Sequence, residues 1–145
     1  EHIAYISDAG MPGISDPAYL LVQEAIIQEV KIEVIPGANA ALTGLIWSGL
    51  HMHDFRFLGF FPLKKGRQTP LKELAEQDYT AIIYESPHRI EKTLHELLNT
   101  FGPEHVASVA RELTKIHETY HRWTLGQLLE DAKKWVFRGE IVVLF

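Results

Sequence analysis

The sequence predicts an α/β protein: the tail of one α/β unit followed by a second, more complete one. Short apolar runs of strand length alternate with stretches whose apolar residues recur at helical spacing. Turns rich in Gly, Pro, Ser and Asp mark the junctions between them. Of 145 residues, 46% are hydrophobic and 23% charged, enough for one or two small globular units with a core.

In order along the chain, IAYI (3–6) reads as a strand, 18–28 as a helix, KIEVI (31–35) as a strand and 38–48 as a helix. This alternation points to a parallel sheet flanked by helices. In the first helix Leu21, Val22, Ala25 and Ile26 form an apolar stripe, with Asp16 as N-cap and Pro17 as the first helical residue. Gly49 ends the second helix, and a boundary is placed near Asp54. Residues 1–54 are then the C-terminal part of one α/β domain and 55–145 the next.

The pattern restarts with FRFLGFFP as a strand, then LKKGRQTP as a charged loop, a helix over 71–77 and TAIIY (80–84) as a buried strand. Ser86 and Pro87 open a helix with Ile90, Leu94, Leu97 and Leu98 facing inward, closed by Gly102 and Pro103. HVASVAREL contains a strand, Thr124 and Gln127 form a capping box for a helix over 125–134, and EIVVLF is the final strand.

The net charge of −5 excludes a globally basic nucleic-acid surface. Any RNA contact has to use local clusters: Lys64, Lys65 and Arg67; His88 and Arg89; Arg111 and Lys115; Lys133, Lys134 and Arg138. Taken singly, each cluster reads more simply as solvated surface. Without cysteine there is no disulfide framework, thiolate nucleophile or zinc knuckle, and the eight histidines form no convincing ligand set, so no metal is expected. No apolar run reaches the roughly 18 residues of a membrane span, and a cytoplasmic protein is expected. Glu1 stands where a methionine would begin a complete chain and the strand pattern is already under way, so a longer parent is expected.

The stretch SDAGMPGISDP (7–17) puts two glycines, two prolines and two aspartates into one strand-to-helix turn, and PGANAA (36–41) is a second such turn. In open α/β sheets ligands settle beyond the carboxyl ends of strands, where glycine admits close approach and helix N-termini offer free N–H groups. The competing reading is an ordinary βα turn. No phosphate-loop or dinucleotide fingerprint is present. YESPHR (84–89), ARELTK (110–115) and RGE (138–140) gather further charged residues at strand ends, a placement that often marks a site. Glu85 and Glu112 read equally well as loop carboxylates paired with Arg89 and Arg111.

Together, SDAGMPGISDP, IPGANAALTGLIWSGL, FRFLGFFP, YESPHRI, ARELTKIHE and RGEIVVLF resemble, in the same order, the ribosomal RNA small subunit methyltransferase I family, whose fold is tetrapyrrole-methylase-like. The resemblance covers practically the whole chain, lacks the family's N-terminal portion, and implies two α/β domains, the second with a mixed sheet. It also implies an S-adenosylmethionine donor, a homodimer and small-subunit rRNA as partner, with methyl transfer to a cytidine ribose 2′-hydroxyl. Carried over by position, Asp8, Ala9, Gly10, Met11, Asn39 and Ala40 become donor contacts. Tyr84, Ala110, Arg111, Gly139, Glu140 and Ile141 follow from the second domain, with Glu85 and Glu112 as carboxylates for catalysis beside Asp8. Pro12, Gly13, Lys64, Lys65, Arg67, His88, Arg89 and Lys115 become substrate or RNA contacts. The rival readings are a tetrapyrrole or other small-molecule methyltransferase and a non-catalytic nucleotide- or RNA-binding module.

Overall fold

The computed structural model describes residues 2–62, 68–135 and 138–145. It divides into two compact units, Glu1–Ala40 and Ala41–Phe145.

The first unit contains one helix, α1 (Tyr19–Ile27), and neither expected strand. Residues 2–6 and 31–35 run without a ladder, because a strand exists only through its hydrogen-bonded neighbour and none is described beside them. Their apolar side chains stay in solvent, Ile3, Ile6, Val34 and Ile35 among them. The stripe on α1 is likewise uncovered: no α1 residue is buried. Asp16 does not cap it. The capping position is Ala18, whose N–H donates to the backbone oxygen of Asp16, with no side-chain cap bond.

The second unit is a five-stranded mixed sheet. Its elements are α2 (Ala40–Ser48, all but the first residue inside the unit), β1 (Phe55–Phe60), α3 (Gln68–Ala75), β2 (Thr80–Glu85), α4 (Ile90–Phe101), β3 (Val106–Arg111), β4 (Thr119–Thr124), α5 (Leu125–Ala132) and β5 (Ile141–Leu144). The strand order is β1-β2-β5-β3-β4. β1 and β2 run parallel, and the other three pairings are antiparallel.

Strand alternation sends side chains to two faces. On one, Ile83, Val109 and Val143 form a core with Leu71 of α3, Leu94 and Leu97 of α4, and Leu125 and Leu128 of α5. On the other, Ile82, Ala110, Val142 and Leu144 pack against Ala41 and Leu45 of α2. The compact unit thus takes in α2, which lies ahead of the boundary placed near Asp54.

Two helix starts differ in instructive ways. α4 begins at Ile90, after a turn in which Ser86 accepts the Arg89 and Ile90 N–H groups on its carbonyl and the His88 N–H on Oγ, at 3.3 Å. α5 has its capping box: Thr124 accepts from the Gln127 N–H, and Gln127 accepts from the Thr124 N–H. Strand β4 is the element the sequence reading lacks. No helix among the described residues is long and apolar enough to cross a membrane.

Candidate functional site

In the first unit, the two glycine-bearing loops are tied together. The Met11 N–H donates to the Ala38 carbonyl at 3.0 Å, and Ser7 Oγ donates to the carbonyls of Ala9 and Gly10 at 3.0 and 3.1 Å. Gly10 sits at φ +74°, and a Cβ there would lie 3.0 Å from the Ala38 oxygen. The residue must therefore be glycine for the loops to meet this closely. Asp8, Ala9, Gly10, Pro12 and Gly13 are exposed and Met11 is partly so, with Asn39 and Ala40 at the head of α2. Among the described residues the Asp8 carboxylate makes no hydrogen bond or ion pair.

In the second unit, the ladder decides which candidates share a side. Tyr84 pairs with Val142, and Val142 with Ala110, which pairs with Tyr120 on β4. That row faces α2. The next row, Glu85, Ile141, Arg111 and Thr119, faces the opposite way. Tyr84 and Ala110 therefore lie on one side of the sheet, and Glu85, Arg111 and Ile141 on the other. Val142, between Tyr84 and Ala110, was missed; counting alternate residues along EIVVLF finds it.

Glu85 is engaged from every direction. Its side chain is fully buried; Oε1 accepts the Ser86 N–H at 2.7 Å and pairs with Arg89 at 2.9 Å, while Oε2 accepts the Thr93 hydroxyl at 2.6 Å. This carboxylate fastens the β2–α4 turn, and the Arg89 charge is spent on it. His88, next in the turn, is exposed.

Glu112 closes a second fastening. It follows β3 at φ +53°, donates its N–H to the Glu140 carbonyl and accepts the Glu140 N–H on Oε1, both at 2.9 Å. Lys115 Nζ bridges Glu112 and Glu140 at 2.9 and 3.0 Å. The Glu140 N–H bond, with the Lys115 ammonium, holds the Glu112 carboxyl below the usual carboxylate range; those two carboxylates hold the Lys115 ammonium up. Gly139, at φ +83°, lies directly under this carboxylate, where a Cβ would stand 2.1 Å from Glu112 Oε1.

Arg111 donates to Thr119 Oγ1, the Arg138 carbonyl and the His117 carbonyl at 3.1 to 3.2 Å, binding the β3–β4 loop to the residues that lead into β5. Beside it a concavity of about 420 Å³ opens between Arg111, His117, His121, Trp135 and Arg138. The His121 ring stacks on Trp135 at 4.0 Å, and burial pushes its imidazole down from the ordinary value. Lys64, Lys65 and Arg67 lie outside the described residues.

The aromatic group around Tyr84 was also missed. Phe57 and Phe60 meet the Tyr84 ring edge-on at 4.9 and 5.8 Å. Burial pushes the Tyr84 phenol up from its ordinary value. The signal was the glycine inside FLGFF, since glycine in a strand marks a bulge.

Residues 1–129 match the Tetrapyrrole (Corrin/Porphyrin) Methylases. The chain belongs to this methylase family. Among curated relatives of the chain, ribosomal RNA small subunit methyltransferase I of Halalkalibacterium halodurans is 47% identical over 98% of the chain and 49% of its own length. Those of Synechocystis and Hydrogenobaculum are 49% and 43% identical over 99% of the chain, with 52% and 63% of their own lengths covered. The chain thus spans 49–63% of the length of these relatives. Solved structures share its fold: the methyltransferase CobJ, with TM-score 0.66 at 21% identity over 93% of this chain and 61% of that one, and uroporphyrin-III C-methyl transferase from Thermus thermophilus complexed with S-adenyl homocysteine, with TM-score 0.61 at 20% identity over 93% and 62%. At such identities they speak for the fold alone.

The residues present fit S-adenosylmethionine, the donor the resemblance implies, on one observation. The 8–11 loop and the PGANA turn, both assigned to the donor by resemblance, are joined by the Met11–Ala38 bond and the glycine contact at Gly10.

Proposed function

We propose that the protein carrying this chain transfers a methyl group from S-adenosylmethionine to the ribose 2′-hydroxyl of a cytidine in small-subunit rRNA, acting as a homodimer in the cytoplasm. The observation that carries this reading is the similarity of 98–99% of the chain to ribosomal RNA small subunit methyltransferase I from widely separated bacteria, at 43–49% identity.

Ala9, Gly10, Met11, Asn39 and Ala40 would hold the donor, through backbone groups that glycine lets come close. The donor, when bound, supplies a methyl group on a sulfonium, already activated for displacement. What remains for the protein is to align the 2′-oxygen with that methyl, which can lower the barrier by several kcal/mol, and to accept the hydroxyl proton. Glu85 and Glu112 are bound up in fastening the sheet end. Asp8 keeps its carboxylate uncommitted among the described residues and is the group proposed to accept the proton. Arg89 and Arg111 are likewise spent inside the fold, which leaves His88 and the basic run 64–67 as phosphate contacts.

The test uses labelled S-adenosylmethionine and small ribosomal subunits lacking their decoding-region methylations. Label mapped to a ribose 2′-oxygen is the expected result. Donor binding without label in rRNA would overturn the assignment. Binding to the subunit should also weaken steeply with added salt.

A further inference from the structure

At the downstream ends of β1 and β2, on the face that carries α2, the chain builds an aromatic corner at a structural cost. The register runs Phe57 opposite Ile82 and then Phe60 opposite Tyr84, three residues on β1 against two on β2. The extra residue is accommodated at Gly59, φ +64°. A bulge of this kind interrupts the ladder and re-aims the side chains that follow it. In regular alternation Phe60 would share the face of Leu58, which packs with the helical core. With the bulge, Phe60 turns to Tyr84 instead, and Phe61 enters the helical core at 4% exposure.

Burial does not account for where Phe60 ends up, because 58% of it remains exposed. The Phe60 and Tyr84 rings stand 69° apart with centroids at 5.8 Å, an open corner rather than a closed stack. Phe57 braces Tyr84 at 64°. Burial pushes the Tyr84 phenol up, so it keeps its own proton to donate. A flat heterocycle lying on Phe60 would meet one aromatic edge and one hydroxyl donor.

We propose that the Phe60–Tyr84 corner is a stacking site for one unpaired nucleobase of the RNA substrate; this rests on the rRNA reading above. Single-stranded bases splayed from their neighbours are recognised by this combination of aromatic face and polar edge. The open, solvent-facing side suits a base presented by a macromolecule.

The experiment measures binding of the whole protein to a short single-stranded oligoribonucleotide containing cytidine, and to the same oligonucleotide made abasic at that position. The parent protein is expected to prefer the base-containing form by ~10-fold. Phe60→Leu keeps the apolar volume without the flat ring and should erase that preference, whereas Phe60→Trp should keep it. Donor affinity should stay unchanged, and matching melting curves should show all three proteins folded. A preference that survives in Phe60→Leu overturns the corner as a base site. Lost donor affinity with unchanged RNA discrimination also overturns it and gives the corner to the donor's adenine. If base-dependent binding is present and rRNA is never methylated, the assigned reaction fails and the corner stands.

Discussion

Two carboxylates flank the entry to β5: Glu112 holds Glu140 just ahead of it, and Glu85 holds the turn beside it. Glu85 pins the β2–α4 turn through Arg89, Ser86 and Thr93. Glu85→Gln leaves the Arg89 charge without its partner and should cost about 3 kcal/mol, read as a lower urea midpoint. Unchanged stability with lost turnover would return Glu85 to the role of base. Asp8→Asn should behave in the opposite way, with stability preserved and kcat down by roughly 10² to 10⁴. Glu112 adds a pH dependence. Its folded carboxyl titrates below the ordinary 4.5, so its contribution is full above that value and is lost as pH falls through the lowered folded one. His121 and His105, both pushed below the ordinary 6.5 by burial, stabilise the fold above 6.5, and that contribution declines as pH falls toward their folded values. Acid titration of the melting temperature should therefore show losses beginning below 6.5 and continuing into the carboxylate range.

Among the elements, α5 is the one whose start is written out in full. Thr124→Ala removes the side-chain half of the capping box and should cost about 1 kcal/mol, seen as a small fall in melting temperature. Where sequence periodicity met burial it was legible: Ile90, Leu94 and Leu97 of α4 and most of the apolar residues of β2, β3 and β5 lie in the core, while Leu98 is partly buried and Val106 exposed. It failed where burial was absent. TYHRWT has few apolar residues to declare a strand, because β4 is at the sheet edge and gains its identity from the ladder to β3. IAYI and KIEVI declare strands but have no ladder in the described chain. The candidate site residues stand out as motifs, while their sides of the sheet do not. Neighbours such as Tyr84 and Glu85 point opposite ways, and that parity becomes visible only with the register. The glycine of FLGFF changes parity once more.

For the molecule as a whole, the two units differ in how they are held. Among the described residues every strand, and every buried helical residue, lies in Ala41–Phe145, whereas α1 has no buried residue. Protection from amide exchange tracks buried, paired backbone. Exchange in this chain should accordingly be slowest in β2, β3 and β5 and fast through residues 2–36; equal protection in α1 and β5 would contradict that ranking. A mixed sheet of non-local pairings also places the chain among slower-folding topologies.

The position of β5 has a consequence for synthesis. Its partners β2 and β3 share no ladder of their own, so the parallel β1–β2 pair and the β3–β4 hairpin are separate half-sheets until residues 141–144 arrive between them. On a ribosome that moment comes only after Leu144 has cleared the exit tunnel. Until then the nascent chain carries two open strand edges, those of β2 and β3, and a chaperone or a neighbouring nascent chain has that interval in which to bind them.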